Sequence, residues 1–172
     1  KAKQMFDDAG GFDGTLTLAY NADGGHKEWV DATCVSLTNA LGVKCQGKPY
    51  PTFAEMRNDV TEKKMTGLFR TGWQMDYPSI ENFLAPIYKT GASSNDGDYS
   101  NPAFDKLLVE GAAATDPAAA NAKYQEAEAL LAVDMASIPM WYGKATMGWS
   151  ENVTGVKITA FGTIDLASIS MK

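Results

Sequence analysis

The sequence predicts an α/β fold, a mixed β-sheet flanked by helices. Three observations carry this reading. Thr15 to Tyr20 alternates Thr and Leu, the two-residue period of a half-buried strand. Val30, Cys34, Leu37 and Leu41 recur at steps of four, three and four, which lays them along one face of a helix. The apolar stretch from Gly67 to Trp73 reads as a further strand, reached after a second helix. Strand, helix, strand, helix, strand in that order implies a parallel or mixed sheet with covering helices. In such sheets ligands sit at the carboxyl ends of the strands.

Each element has a local reason. Lys1 to Ala9 resembles the tail of an amphipathic helix running into Gly10-Gly11, a helix-stop signal. There is no initiator Met and no signal-peptide pattern, so the chain reads as a piece of a longer protein. Asn21 to Gly25 is a turn, and the helix from Lys27 to Leu41 stops at Gly42. Val43 to Cys45 reads as a short strand. Thr52 and Glu55 form a capping box that opens a helix with Phe53, Met56 and Val60 facing inward. Beyond Pro78, Asn82 to Pro86 is a short helical or irregular piece, and Gly91 to Asp98 is a polar loop. Asn101-Pro102 and Asp116-Pro117 each pair an N-cap with Pro at the first helical position. The first of these helices turns Phe104, Leu107, Leu108 and Gly111 to one face. The second buries Ala120, Tyr124, Ala127 and Leu131 and runs to about Asp134. Ile138 to Tyr142 and Ala145 to Trp149 read as strands, and the chain after Glu151 is β-rich with Gly breaks.

Composition removes several function classes. The chain has 172 residues and a formal net charge of −6, with no long Lys/Arg cluster, which argues against a nucleic-acid partner. No uncharged stretch is long enough to span a membrane. The only His is His26, in a Gly-Gly-His-Lys turn, and it reads as a solvated helix-entry residue. Cys34 lies eight residues further on, roughly 12 Å at about 1.5 Å per helical residue, so a Cys–His catalytic pair is out of reach. No phosphate-cradling loop, dinucleotide fingerprint or metal-ligand cluster is present, and no cofactor is implied. Cys34 and Cys45 are either two buried thiols or a disulfide tying a helix to the next strand. The second reading would place the protein outside the cytoplasm.

Binding is the class for which the residues argue. The run Gly72-Trp73-Gln74-Met75-Asp76-Tyr77-Pro78 sets one carboxylate between aromatic side chains at the expected end of a strand. Aromatic walls with one fixed negative charge suit a cation that carries an apolar body, such as a peptide's ammonium. Trp141, Tyr142 and Trp149 also fall near expected strand ends, as ligand walls or as core. Arg70 either meets a carboxylate bidentately or pairs with Asp or Glu on the surface.

Arg70 through Pro78, then Glu81-Asn82-Phe83-Leu84, Ser94-Asn95, Tyr99 through Asp105, the Ala- and Glu-rich helix and Ile138 through Tyr142 together resemble one family. It is the C-terminal lobe of oligopeptide/dipeptide-binding proteins, the family 5 extracytoplasmic solute-binding proteins of ABC importers. The resemblance covers roughly residues 14 to 149. It implies one lobe of a type II periplasmic-binding-protein-like fold and a two-lobed protein that closes on an extended peptide. Residues 1–150 would form the lobe, and residues 151–172 a tail returning toward an N-terminal lobe. It implies that Asp76 binds the ligand's α-ammonium and that Trp73 lines a side-chain pocket. Arg70, Tyr77 and Tyr142 are further ligand-binding candidates. The partners implied are short peptides and a transporter permease, and the protein is expected to be a non-enzymatic monomer. It would work in the periplasm or at the extracellular face of the membrane, lipid-anchored through its N-terminal part. The Cys34–Cys45 pair is not general to the family and fits an exported variant. Oligosaccharide or nickel-chelate binding on the same scaffold is the alternative, with a small hydrolase as a third reading.

Overall fold

The computed structural model describes all 172 residues, and they divide into two compact units, Lys1–Gly72 and Trp73–Lys172. Each is built by its own local chemistry and is described separately. As a whole the protein is α/β, with a parallel sheet flanked by helices.

The first unit runs α1 (Ala2–Asp8), β1 (Thr15–Asn21), a single 3-10 turn (Ala22–Gly24), α2 (Lys27–Leu41), β2 (Lys44–Tyr50), α3 (Phe53–Thr61) and β3 (Leu68–Phe69). The three strands form one parallel sheet in the order β2-β1-β3. Thr15 lies opposite Lys44, Asn21 opposite Tyr50, and Leu18 opposite Leu68. As the central strand, β1 is buried continuously from Leu18 to Asn21, the signature of a strand covered on both faces. Leu18 and Tyr20 pack with Val30 and Cys34 of α2, and α3 contributes buried Met56 and Val60. Gly67, at φ +83°, passes so close to β1 that a Cβ there would lie 2.3 Å from Thr17 Oγ1. Cys34 and Cys45 are joined in a disulfide that ties α2 to β2.

Several expectations hold in this unit. The bounds of α2, its stop at Gly42 in the left-handed conformation, and the reciprocal Thr52/Glu55 capping box all appear as read. Others are corrected. β2 extends well past Cys45, because as an edge strand it tolerates Pro49, whose missing N–H costs no ladder bond on the open side. Phe53 is not inward but 46% exposed. The strand expected from Gly67 to Trp73 stops at Phe69, with one more ladder bond from Arg70 N–H to the Ala19 carbonyl at 3.0 Å. β1 itself runs on through Tyr20 and Asn21, where it pairs with β2 alone.

The second unit holds α4 (Glu81–Tyr88), α5 (Pro102–Ala113), α6 (Pro117–Asp134) and a small antiparallel pair, β4 (Val153–Thr154) with β5 (Ser170–Met171). Asn101 accepts from the N–H groups of Ala103 and Phe104, and Asp116 from that of Ala119, so both Pro-started helices carry their expected caps. The core joins Leu84, Phe104, Leu108, Tyr124 and Ala127. Gly111 lets α5 and α6 approach closely: a Cβ there would sit 2.4 Å from the Tyr124 ring. Ile138–Tyr142 and Ala145–Trp149 are not strands. Apolar alternation marks a strand only where a neighbour offers its backbone, and no segment pairs with these residues in a sheet. Tyr142 is 99% exposed.

Candidate functional site

The Trp73–Pro78 run is irregular backbone held at one point by a residue of α4. Asn82, on the first turn of α4, is buried, at 3% exposure. Its Oδ1 accepts the backbone N–H of Asp76 at 2.7 Å and, at the long limit of a hydrogen bond, the indole N–H of Trp73 at 3.5 Å. The Tyr77 hydroxyl donates to Glu81, one residue before Asn82. The Glu81 contact holds the Tyr77 phenol above its usual range. Gln74 donates to the Phe161 carbonyl. Thus Trp73 and Asp76 share one buried amide as their anchor.

The Asp76 side chain stays exposed, and no hydrogen bond or ion pair within the protein engages its carboxylate. Trp73 is 36% exposed and Tyr77 45%, so each keeps part of its aromatic surface in water. Chemically this is a free carboxylate in an aromatic run with a fixed backbone. That arrangement can receive a cation.

The first unit gathers a second polar cluster at the carboxyl ends of β1 and β3. Asn21, 4% exposed, donates through Nδ2 to Asp23 at 2.6 Å and accepts from Arg70 Nη1 at 3.1 Å. The remaining oxygen of Asp23 accepts the Phe53 N–H at 3.3 Å. These two bonds, Asn21's first, hold Asp23 below the usual carboxylate range. The Arg70 guanidinium lies over the Phe53 ring, 5.7 Å from its centroid, and burial lowers its pKa. No carboxylate pairs with it, so the surface ion pair expected for Arg70 is not formed. The exposed Phe53 thus becomes the platform for Arg70.

His26 belongs to this cluster and is not the solvated residue expected. It is part-buried, and its Nδ1 accepts the Trp29 indole N–H at 3.1 Å. Burial first, and then the Arg70 charge, lower its pKa. The single signal in the sequence was proximity to a strand's carboxyl end, which a Gly-rich turn obscured. Asn82 was equally hidden, since one Asn on a short helix has no pattern. Both cysteines are oxidised, so neither offers a thiolate nucleophile. No group of three His, Cys, Asp or Glu side chains is placed to hold a metal ion.

No protein-family model matches the chain. Individual proteins do. It is 30% identical over 146 residues to the periplasmic oligopeptide-binding protein OppA of Escherichia coli, an alignment that covers 82% of this chain and 26% of that protein. It is 33% identical over 121 residues to the periplasmic murein peptide-binding protein MppA of E. coli, covering 67% and 21% respectively. Among solved structures, OppA of Burkholderia pseudomallei superimposes with a TM-score of 0.84 at 25% identity, over 99% of this chain and 34% of that one. The homologues of this chain are peptide-binding proteins of the OppA/MppA family. The chain spans about a quarter of the length of the relatives it matches. These relatives are periplasmic binding proteins, and no helix of this chain is long and apolar enough to cross a membrane.

Proposed function

We propose that this chain is the peptide-recognising part of an extracytoplasmic solute-binding protein that delivers short peptides to an ABC importer. The observation that carries the proposal is the Asp76 carboxylate. It is unengaged by any protein group, yet its backbone is pinned and its neighbours in the run are half-exposed aromatics. In this reading Asp76 receives the peptide's α-ammonium, while Trp73 and Tyr77 contact its first side chain. Arg70, with no internal counterion and steadied by Asn21 and Phe53, receives a carboxylate. Tyr142 supplies a further wall once covered. Main-chain groups hold the peptide backbone, and water fills roomy side-chain pockets, so side-chain selectivity is low.

In the whole protein, residues 1–150 serve as the C-terminal lobe, and residues 151–172 return toward the other lobe. The protein acts as a monomer that closes on its ligand and docks on a permease. It is held at the outer membrane face by a lipid anchor or free in the periplasm.

The test uses trialanine and N-acetyl-trialanine with the full-length protein in a calorimeter. A charge-assisted contact of about 2 kcal/mol makes the free amine bind roughly thirtyfold tighter. Asp76→Asn should remove that difference and leave the acetylated peptide's affinity unchanged. Equal affinity of the wild type for both peptides would sink the amine-receptor role.

A further inference from the structure

We propose that Asn82 is the positioning residue of this amine receptor, the group that sets the direction of the Asp76 carboxylate without touching the ligand. This role presupposes that Asp76 receives an amine. Four observations support it. First, Asn82 is 3% exposed, so a ligand in solvent meets the residues it holds and not Asn82 itself. Second, its Oδ1 accepts the Asp76 N–H at 2.7 Å, a short bond to the very residue whose carboxylate is free. Third, the same oxygen lies 3.5 Å from the Trp73 indole nitrogen. Fourth, Asn82 sits on the first turn of α4, whose Leu84 is locked into the core with Phe104 and Tyr124.

These contacts convert the rigidity of a helix into rigidity of a loop. The Trp73–Pro78 run has no regular secondary structure of its own to hold it. A carboxylate on such a run samples many directions, and a receptor loses affinity for every direction that misses the ligand. One amide that accepts from residue 76 and residue 73 together fixes the spacing between charge and aromatic wall. An amide suits the task because it has both a donor and an acceptor and carries no charge. A buried carboxylate there would add a second negative centre beside Asp76, and an apolar side chain would leave the Asp76 N–H without its partner.

The experiment compares trialanine with N-acetyl-trialanine in the full-length protein, for wild type, Asn82→Leu and Asn82→Asp. The reading is the ratio of the two affinities. Asn82→Leu is expected to cut that ratio about tenfold, because the free amine loses more affinity than the acetylated peptide, which feels only the loosened Trp73 wall. Asn82→Asp retains the acceptor for both N–H groups and is expected to keep the ratio at or above the wild-type value. It is also the arm that decides the matter if the Leu variant does not fold. A wild-type ratio well above one, unchanged in Asn82→Leu, overturns the positioning role and leaves the amine receptor standing. A collapsed ratio in Asn82→Asp overturns it as well, since the acceptor would then be irrelevant. A wild-type ratio of one overturns the receptor itself, and the role of Asn82 with it.

Discussion

Opening the Cys34–Cys45 disulfide should destabilise the first unit by an amount set mainly by chain entropy. The bridge closes a loop of 11 residues. In the loop-closure treatment, cross-linking such a loop removes about 9 cal/mol/K from the unfolded chain, or ~3 kcal/mol at room temperature. Packing adds a smaller contribution, since Cys34 is 5% exposed and lies against Leu18, Tyr20 and Val30. The perturbation is therefore made in two ways. Reduction of the wild type keeps both side chains and removes only the covalent link. The double variant Cys34→Ala/Cys45→Ala removes the sulfur atoms as well, and should cost roughly 1 kcal/mol more. Amide exchange of β1 and α2 peptides along a urea series reads this unit without interference from the other. Reduced and oxidised proteins whose β1 protection agrees within about 0.5 kcal/mol would refute the entropic account. Thiol titration of the unfolded, unreduced protein should find no free cysteine, and two free thiols would reject the bridge itself. The consequence reaches the site, because β1 ends in Asn21, the residue that holds both Asp23 and Arg70.

Phe104→Ala should cost ~3 to 5 kcal/mol, because the ring is fully buried and makes edge-to-face contacts with Tyr88 and Tyr99; a urea series followed by amide exchange in α5 and α6 checks this, and a loss below about 1 kcal/mol would contradict it. Arg70→Gln should bring C-terminally amidated and free-acid trialanine to similar affinity, whereas the wild type should favour the free acid by about tenfold or more; calorimetry on the full-length protein decides, and a preserved preference would remove Arg70 from the site. His26 is held below its ordinary value of 6.5 by burial and then by Arg70, so the unfolded chain binds its proton first. Stability from this residue should be complete above pH 6.5 and be lost as pH falls through the lower folded value, and His26→Gln should flatten that part of the melting-temperature profile, with an unchanged profile counting against it.

What was legible in the sequence was what neighbouring residues decide among themselves. Thr52 with Glu55, Asn101 with Pro102 and Asp116 with Pro117 each set a helix start through bonds spanning two or three residues, and each formed as read. Gly42 stopped α2 for a similarly local reason. Strands behaved differently, since a ladder needs a partner. β2 ran longer than its apolar residues suggested because β1 was beside it. β3 ran shorter, pairing with β1 only through Ala19, and Ile138–Trp149 formed no strand because no other segment pairs with it in a sheet. In the candidate site, the charges and aromatics of the Trp73–Pro78 run could be named from their types. Their supports could not, because Asn82 and Asn21 act through long-range placement. Phe53 illustrates the same limit: its spacing from Met56 pointed inward, but the capping turn brings its N–H to Asp23 and its ring beneath Arg70.

The buried polar side chains of this protein are Asn21, Asn82 and Asn95, and their shared chemistry explains how binding charges stay usable. Asn95 ties its own loop together by donating to the Lys89 and Tyr99 carbonyls and accepting the Tyr99 N–H. Asn21 and Asn82 do the same for chain segments that carry a charge. A carboxylate could have held Arg70 more strongly, and a lysine could have held the Asp76 run. Either would have neutralised the charge that a ligand must find, so the ligand would have had to displace an internal ion pair. An amide fixes geometry through modest hydrogen bonds, is far less costly to bury than a charge when its bonds are made, and leaves the net charge of the site unchanged. Arg70 is held through its guanidinium and Asp76 through its backbone N–H, each by a neutral amide, and neither is answered by an opposite charge. Placing an Asp at position 21 makes the point testable from the other side. Asn21→Asp would pair Arg70 internally, and should weaken free-acid peptide binding by more than it weakens binding of the amidated form. An equal effect on both peptides would show that Arg70 does not recognise the carboxylate.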